Sequence, residues 1–392
     1  MRSRTARRLA GLLTSLALAA TACAGGASDP EAGGGDLDLS DWASVEEAAQ
    51  GQTVRWWLFG GDDRINAYLD EHVVPAAAEL GVTLERVPIT DTADAVQRVL
   101  SEARAEADES SVDMIWINGE NFAAGKEAGL WAEGWATRLP NHALVDADAV
   151  DTDFGVPVEG MESAWSRALF VYAHDTARTP EPPRSFTELL EYARAKPGRV
   201  TYPAPPDFTG SAFVRQAVAE LGEDEAFALL AELTPLLWRE GQAFPENEAE
   251  LNQLFADGQV DLAMSYDPAF VQTAVAQGSF PETARPFTFT AGTLQNTSYV
   301  TIPARSASFA GALVVANLLL DPTLQAIKAD PDVLGVPTVL DLDRLEDDAR
   351  TAFTDAVDSP HLLTDFGPLL DELAVDRVEA LEQRWQREVL TP

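Results

Sequence analysis

Five short stretches of the 392-residue chain hold the side chains best suited to gripping a small molecule. They are Trp57 with Gly60, Gly61 and Asp62; Asn118, Gly119, Glu120 and Asn121; Tyr202 with Asp207, Phe208, Thr209, Gly210 and Ser211; Tyr266 and Asp267; and Asn296 with Ser298. The set is short of groups that exchange protons near neutral pH and rich in aromatic rings, amides and hydroxyls. Such groups stack on a ring or a cation and hydrogen-bond its edges. Asp62, Glu120, Asp207 and Asp267 favour a cationic, partly aromatic solute. Gly210-Ser211 at a helix start could instead offer N–H groups to a phosphate or carboxylate. Each position also has a plain structural use. Asp62 and Thr209 suit helix caps, Gly60-Gly61 suits a turn, and strand alternation sends at least one of Trp56 and Trp57 into the core.

Patterns for catalysis are poorly supported. His72, His142, His174 and His361 are scattered, without a metal-binding spacing. No G-x-S-x-G elbow, P-loop or G-x-G-x-x-G follows a predicted strand. Carboxylate pairs such as Glu159 and Glu162 say little in a chain with 64 acids. No enzyme activity, cofactor or metal is therefore expected. Two other classes stay open on the residues alone: a secreted two-lobed hydrolase using carboxylates, and a tethered surface-interaction protein.

The formal net charge is −37. Four of the 27 basic residues, Arg2, Arg4, Arg7 and Arg8, fall within the first 22 positions, leaving 23 against 64 acids elsewhere. Nucleic acid is excluded as a partner, because phosphate contacts need a basic face. The four arginines precede an apolar run, Leu9 to Ala20, too short for a permanent span. Ala20-Thr21-Ala22-Cys23 follows and resembles the lipobox of bacterial lipoproteins, with Ala20 where Leu is usual. Residues 1–22 thus read as a signal peptide, and Cys23, the only cysteine, as a lipidation site. Residues 23–50, rich in Gly, Ser, Ala and Asp, read as a flexible tether. An exported protein, held by a lipid anchor on the outer side of the cytoplasmic membrane, is expected.

The elements that must position these residues follow from periodicity. Thr53 to Phe59 is an aromatic strand, and Asp62-Asp63 caps a helix from Arg64 to Leu80. A strand from Val82 to Pro88 and a helix from Thr90-Asp91 to Glu106 come next. Val112 to Ile117 is apolar on both faces, as a central strand of a parallel sheet should be. It ends in the polar elbow Asn118 to Asn121, before a helix expected from Phe122. In open α/β sheets, ligands sit just past the carboxyl ends of such strands. Further on, Arg199 to Tyr202 reads as a strand and Val260 to Tyr266 as another. Phe287 to Thr290 and Ser298 to Ile302 read as strands returning to the first lobe. Asp341 to Leu390 reads as helical, with Leu369, Leu370, Leu373, Val378, Leu381 and Trp385 on its apolar face. The Val112-Asp113 and Val260-Asp261 strands share a Val-Asp start, an apolar middle and a polar end, as corresponding strands of two lobes would.

Eight segments together resemble one family. They are TVRWWLFGGDDRINAYLD, TDTADAVQRVL, VDMIWINGENFAAGKEAGLW, TYPAPPDFTGSAFVRQAV, LFADGQVDLAMSYDPA, GTLQNTSYVTIP, AGALVVANLLLDPTLQAIKADPDVLG and the lipoprotein start. The chain is identified as similar to the ABC-transporter extracellular solute-binding proteins of family 1, in the YnjB-type subgroup. The resemblance implies an α/β fold of two periplasmic-binding-type lobes (type II), joined by a hinge, with a solute between them. It implies partnership with an ABC permease and ATPase, and transport of a solute that is thiamine-like for this subgroup. A monomer is expected. The lobes would divide as 51–155 plus about 291–330, and 156–290, with 331–392 as a C-terminal helical segment packing on them.

Overall fold

The computed structural model describes residues 37–146, 150–354, 359–363 and 365–390. The expected signal peptide, Cys23 and the expected tether as far as residue 36 lie outside the described residues. The rest of the expected tether is no loose linker, because Trp42–Ala49 is a helix that buries Val45 and Ala49 in the first core. Two hydrophobic cores organise the chain, one built from residues before Trp165 and after Tyr299, the other mainly from those between.

The first core surrounds a six-stranded sheet. Strand β1 (Thr53–Phe59) pairs parallel with β2 (Thr83–Ile89) and with β3 (Met114–Ile117). Along β1, Val54, Trp56 and Leu58 are buried while their neighbours are less so, which is the two-residue alternation of a pleated strand. Trp56 is therefore the core tryptophan, edge-on to Trp165 at 5.7 Å. Trp57, on the other face, is only partly buried against the same core. The helix expected over 64–80 runs through Asp63–Tyr68, Leu69–Val73 and Val74–Glu79, the middle piece having π geometry. Pro75 accounts for the widening, since it has no N–H to give to the carbonyl four residues back.

Beyond β3, β4 (Thr152–Asp153) and β5 (Val156–Pro157) form a small ribbon. Two long strands then link the cores. β6 (Glu162–Leu169) lies antiparallel to β10 (Thr293–Thr301), and β10 continues antiparallel to β3. Each strand has one end in each core: Trp165 and Tyr299 in the first, Leu169 and Leu294 in the second.

The second core surrounds a three-stranded sheet in which β7 (Val171–Asp175) lies between β8 (Leu262–Ser265) and β9 (Ala284–Phe287), both antiparallel. Phe287 thus stays in the second lobe rather than returning to the first. Arg199 to Tyr202 forms no strand. Its carbonyls take single hydrogen bonds, Asp261 to Arg199 and Trp238 to Val200, with no edge for a ladder. β8 shares a feature with β3 beyond its spelling. Asp113 and Asp261 are both buried just ahead of their strands, and each is gripped by an arginine, Arg55 at 2.8 Å and Arg199 at 2.5 Å.

The C-terminal segment is not helical throughout. β11 (Leu369–Asp371) runs parallel to β10, pairing Thr293 with Leu369. Leu369 and Leu370 are therefore on a strand. The helix Val375–Trp385 follows and buries Leu381 and Trp385 in the second core.

Candidate functional site

The elbow after β3 is tighter than its sequence suggests. The helix begins at Gly119 rather than Phe122, with Asn118 as its N-cap and Glu120 and Asn121 in its first turn. Gly119 has φ +48°, a conformation that favours glycine, and a Cβ there would lie 3.2 Å from the Phe154 ring. Its N–H donates to Asp153 Oδ2 at 2.5 Å, so the β4 ribbon ties the elbow down. Burial pushes the Asp153 carboxyl up to about 7, against the hydrogen bond from Gly119. Glu162, close to Asp153 and buried, finds no hydrogen-bond partner for either carboxylate oxygen among the described residues. Burial, then the Asp153 charge, raises it well above the ordinary range.

Opposite the elbow stands the helix Phe208–Leu221, capped by Asp207, whose carboxylate accepts from Gly210 N–H at 3.0 Å. Gly210 is pressed against the chain before it: a Cβ there would come 2.0 Å from the Pro203 carbonyl oxygen. Thr209 is buried and donates to Glu248 Oε2. Phe208 is 46% exposed. Four residues on from Ser211, Arg215 lies on the same helix face, and its Nη1 donates to Ser211 Oγ at 2.7 Å.

Between these two walls lies a cleft of about 390 Å³, and a third wall closes it. Asn118, Gly119, Glu120 and Asn121 line one side; Phe154, Pro206, Phe208, Ser211 and Arg215 another; Val378, Glu379 and Glu382 of the C-terminal helix the last. Ser211 Oγ donates to Glu382 Oε1 at 2.5 Å. Glu372 pairs with Arg215, held by two guanidinium hydrogen bonds at 2.7 and 2.9 Å and by the Tyr266 hydroxyl. Glu372 also lines a small cavity of about 50 Å³ together with Asp153, Asn296 and Thr297.

Six of the residues singled out by sequence therefore share the cleft: Asn118, Gly119, Glu120, Asn121, Phe208 and Ser211. Asp207, Thr209 and Gly210 shape the turn that presents Phe208. Tyr266 lies beside them, its ring 5.1 Å from Phe208. Tyr202 is placed in the second core, stacked on Phe213 at 4.3 Å, its hydroxyl accepting from Trp385 Nε1. Trp57, Gly60, Gly61 and Asp62 are gathered at the end of β1 instead. There Gly60 N–H bonds to Ile89 and Asp62 caps the next helix through the Arg64 and Ile65 N–H groups. Asp267 faces that region, 3.5 Å from Arg64. Asn296 belongs to the small rear cavity, and Ser298 lies on β10 opposite Ser166.

Sequence reasoning does not bring Phe154, Pro206, Arg215, Glu372, Val378, Glu379 or Glu382 to this region. Arg215 had a local signal, its i+4 spacing from Ser211. The C-terminal acids had none, because 171 residues separate Glu382 from Ser211. Among the described residues no group of three or more His, Cys, Asp or Glu side chains is arranged to hold a metal ion.

The family model for bacterial extracellular solute-binding proteins matches residues 73–349. Protein YnjB of Escherichia coli (strain K12) is 41% identical over 366 residues, covering 88% of this chain and 93% of that protein. An ABC transporter structure from Clostridium perfringens ATCC 13124 aligns with TM-score 0.61 at 19% identity, covering 85% of this chain and 97% of the other. A periplasmic thiamin binding protein aligns with TM-score 0.57 at 20% identity, covering 86% and 96%. At such identities the two structures speak for the fold, the two-lobed periplasmic-binding arrangement of α/β type.

Proposed function

The chain belongs to the bacterial extracellular solute-binding proteins, in the group of YnjB, and from that premise we propose that it captures a cationic, partly aromatic solute for an ABC importer. The solute would sit between the elbow Asn118–Asn121 and the turn at Phe208, and would be handed to a membrane permease driven by an ATPase. A thiamine-like compound meets this description. Export and a lipid anchor at Cys23, on the outer side of the cytoplasmic membrane, complete the proposal, with the protein acting as a monomer. Differential affinity for the closed arrangement of the lobes would drive closure on the solute.

The charge balance of the cleft supports the cationic reading best. Glu120, Glu379 and Glu382 line it, whereas Arg215, the one guanidinium lining it among the described residues, is already matched by Glu372. The exposed Phe208 ring adds a face on which a cation or a heteroaromatic ring can rest.

Titration calorimetry with thiamine, benzyltrimethylammonium, spermidine, maltose and inorganic phosphate tests this. Binding of the aromatic cations, weakened in N118A and in E120A without loss of folding, is the expected result. Binding confined to maltose or phosphate would overturn the cationic reading, and so would unchanged affinity in both variants. Turnover of a bound compound would argue for an enzyme instead.

A further inference from the structure

We infer that Glu372 sets the charge selectivity of the cleft, by occupying the seat at Arg215 that a solute carboxylate or phosphate would otherwise take. The inference rests on the solute-capture reading and adds the device by which anions are refused.

Arg215 is 2% exposed and lines the cleft, so its guanidinium is a desolvated positive charge at the wall of the binding space. Glu372 meets it with the two-point geometry that a bound carboxylate or phosphate would adopt, Nε to Oε2 at 2.7 Å and Nη2 to Oε1 at 2.9 Å. The Tyr266 hydroxyl gives Glu372 a third hydrogen bond, and Nη1 of Arg215 is spent on Ser211. The Phe208 ring lies 5.6 Å from the guanidinium carbon. The seat is thus complete and filled from within.

The occupant is supplied by the C-terminal segment, 157 residues away in sequence. β11 pairs with β10 and delivers Glu372 directly after its last residue, Asp371. A carboxylate tethered in this way competes at an effective concentration of about millimolar or above, so a free anion at lower concentration does not displace it. Removing the charge of Glu372 alone leaves a buried guanidinium without a counter-charge, and the cheapest relief is an anion from solution.

The test uses the full chain, with inorganic phosphate and benzyltrimethylammonium as probes, read by calorimetry and by the shift of unfolding temperature. The parent should ignore phosphate at concentrations below about 1 mM. Glu372→Gln should bind it at least about tenfold more tightly than the parent and be stabilised by it. The double variant R215M/E372M, which replaces the pair by apolar groups of similar volume, should fold and show no phosphate response. Equal phosphate responses in the parent and E372Q, or a response in the double variant, overturn the inference. Should E372Q fail to fold, Glu372→Asp gives the second reading, because its shorter side chain cannot hold both contacts. A phosphate response larger than the parent's is expected there, and none sinks the inference. Failure of the parent to bind benzyltrimethylammonium overturns the cationic-solute proposal alone, since the phosphate comparison does not depend on it.

Discussion

The Gly119 amide donates to the Asp153 carboxylate at 2.5 Å, joining the elbow at the cleft to a carboxyl that is 2% exposed. In the unfolded chain this aspartate ionises near the ordinary value of about 4. In the fold it ionises only at about 7, because burial penalises its charge. Between the two values the folded protein binds more protons than the unfolded one. This group therefore makes stability fall as pH rises through that window, and level off above it. Glu162, raised in the same direction, adds to the trend. Asp153→Asn keeps an oxygen for Gly119 and removes the titration. Compared with the parent, it should lose less stability between pH 5 and pH 8, by more than about 1 kcal/mol in urea unfolding. Parallel pH profiles would show that Asp153 is not the titrating group.

Phe208 offers the cleft an exposed ring while resting beside Tyr266 and Arg215. Truncating it to Ala should weaken benzyltrimethylammonium binding about tenfold, the loss of one cation–π face. Stability should change by under about 1 kcal/mol, since the residue is largely exposed. Leucine at this position restores bulk without the ring's negative face, so F208L should remain weak. Calorimetry and chemical unfolding together measure both halves.

Two glycines of the second lobe make opposite demands. Gly210 is held against the Pro203 carbonyl, where an added Cβ has no room. Gly198 has φ +79° but open space around it. Gly210→Ala must push the Pro203 backbone aside and should cost roughly 2 kcal/mol, with a loss of solute affinity because Phe208 moves with the turn. Gly198→Ala should cost roughly 1 kcal/mol, from backbone conformation alone, and leave binding intact. Urea unfolding and titration of both variants separate crowding from conformational strain.

Trp385 anchors the C-terminal segment, fully buried against Phe244 at 5.2 Å and bonded to the Tyr202 hydroxyl. Trp385→Ala should destabilise the protein by about 3–5 kcal/mol. It should also weaken cation binding, because Glu379 and Glu382 ride on the same helix. A destabilisation below about 1 kcal/mol would mean that the helix is an appendage and leaves the second core intact without it.

Much of the fold could be read along the chain, where short-range physics decides. The alternation of Thr53–Phe59 announces a half-buried strand, and Val112 to Ile117 announces a covered one. Asp62 and Asp91 each cap a helix with the side-chain oxygen expected of them. The Asn118–Asn121 elbow was recognisable because strand ends in α/β sheets are where polar residues stop being structural. The errors lie where partners are remote. Arg199 to Tyr202 has strand composition but no neighbouring edge. Leu369 and Leu370 fit a helical stripe until β10 recruits them. Tyr202 has the chemistry of a ligand contact, yet Phe213 and Trp385 enclose it.

What the residues alone determined is local and chemical: most of the strands, the helix caps, and an elbow rich in amides and acids. Tertiary structure decided the electrical character of the cleft. Whether Arg215 is a free cation or a neutralised one depends on Glu372, and the Coulomb energy that settles it falls with distance in space, whatever the separation along the chain. The same return of the chain sets Glu379 and Glu382 across the cleft from Glu120, gathering acids that are scattered in sequence around one cleft.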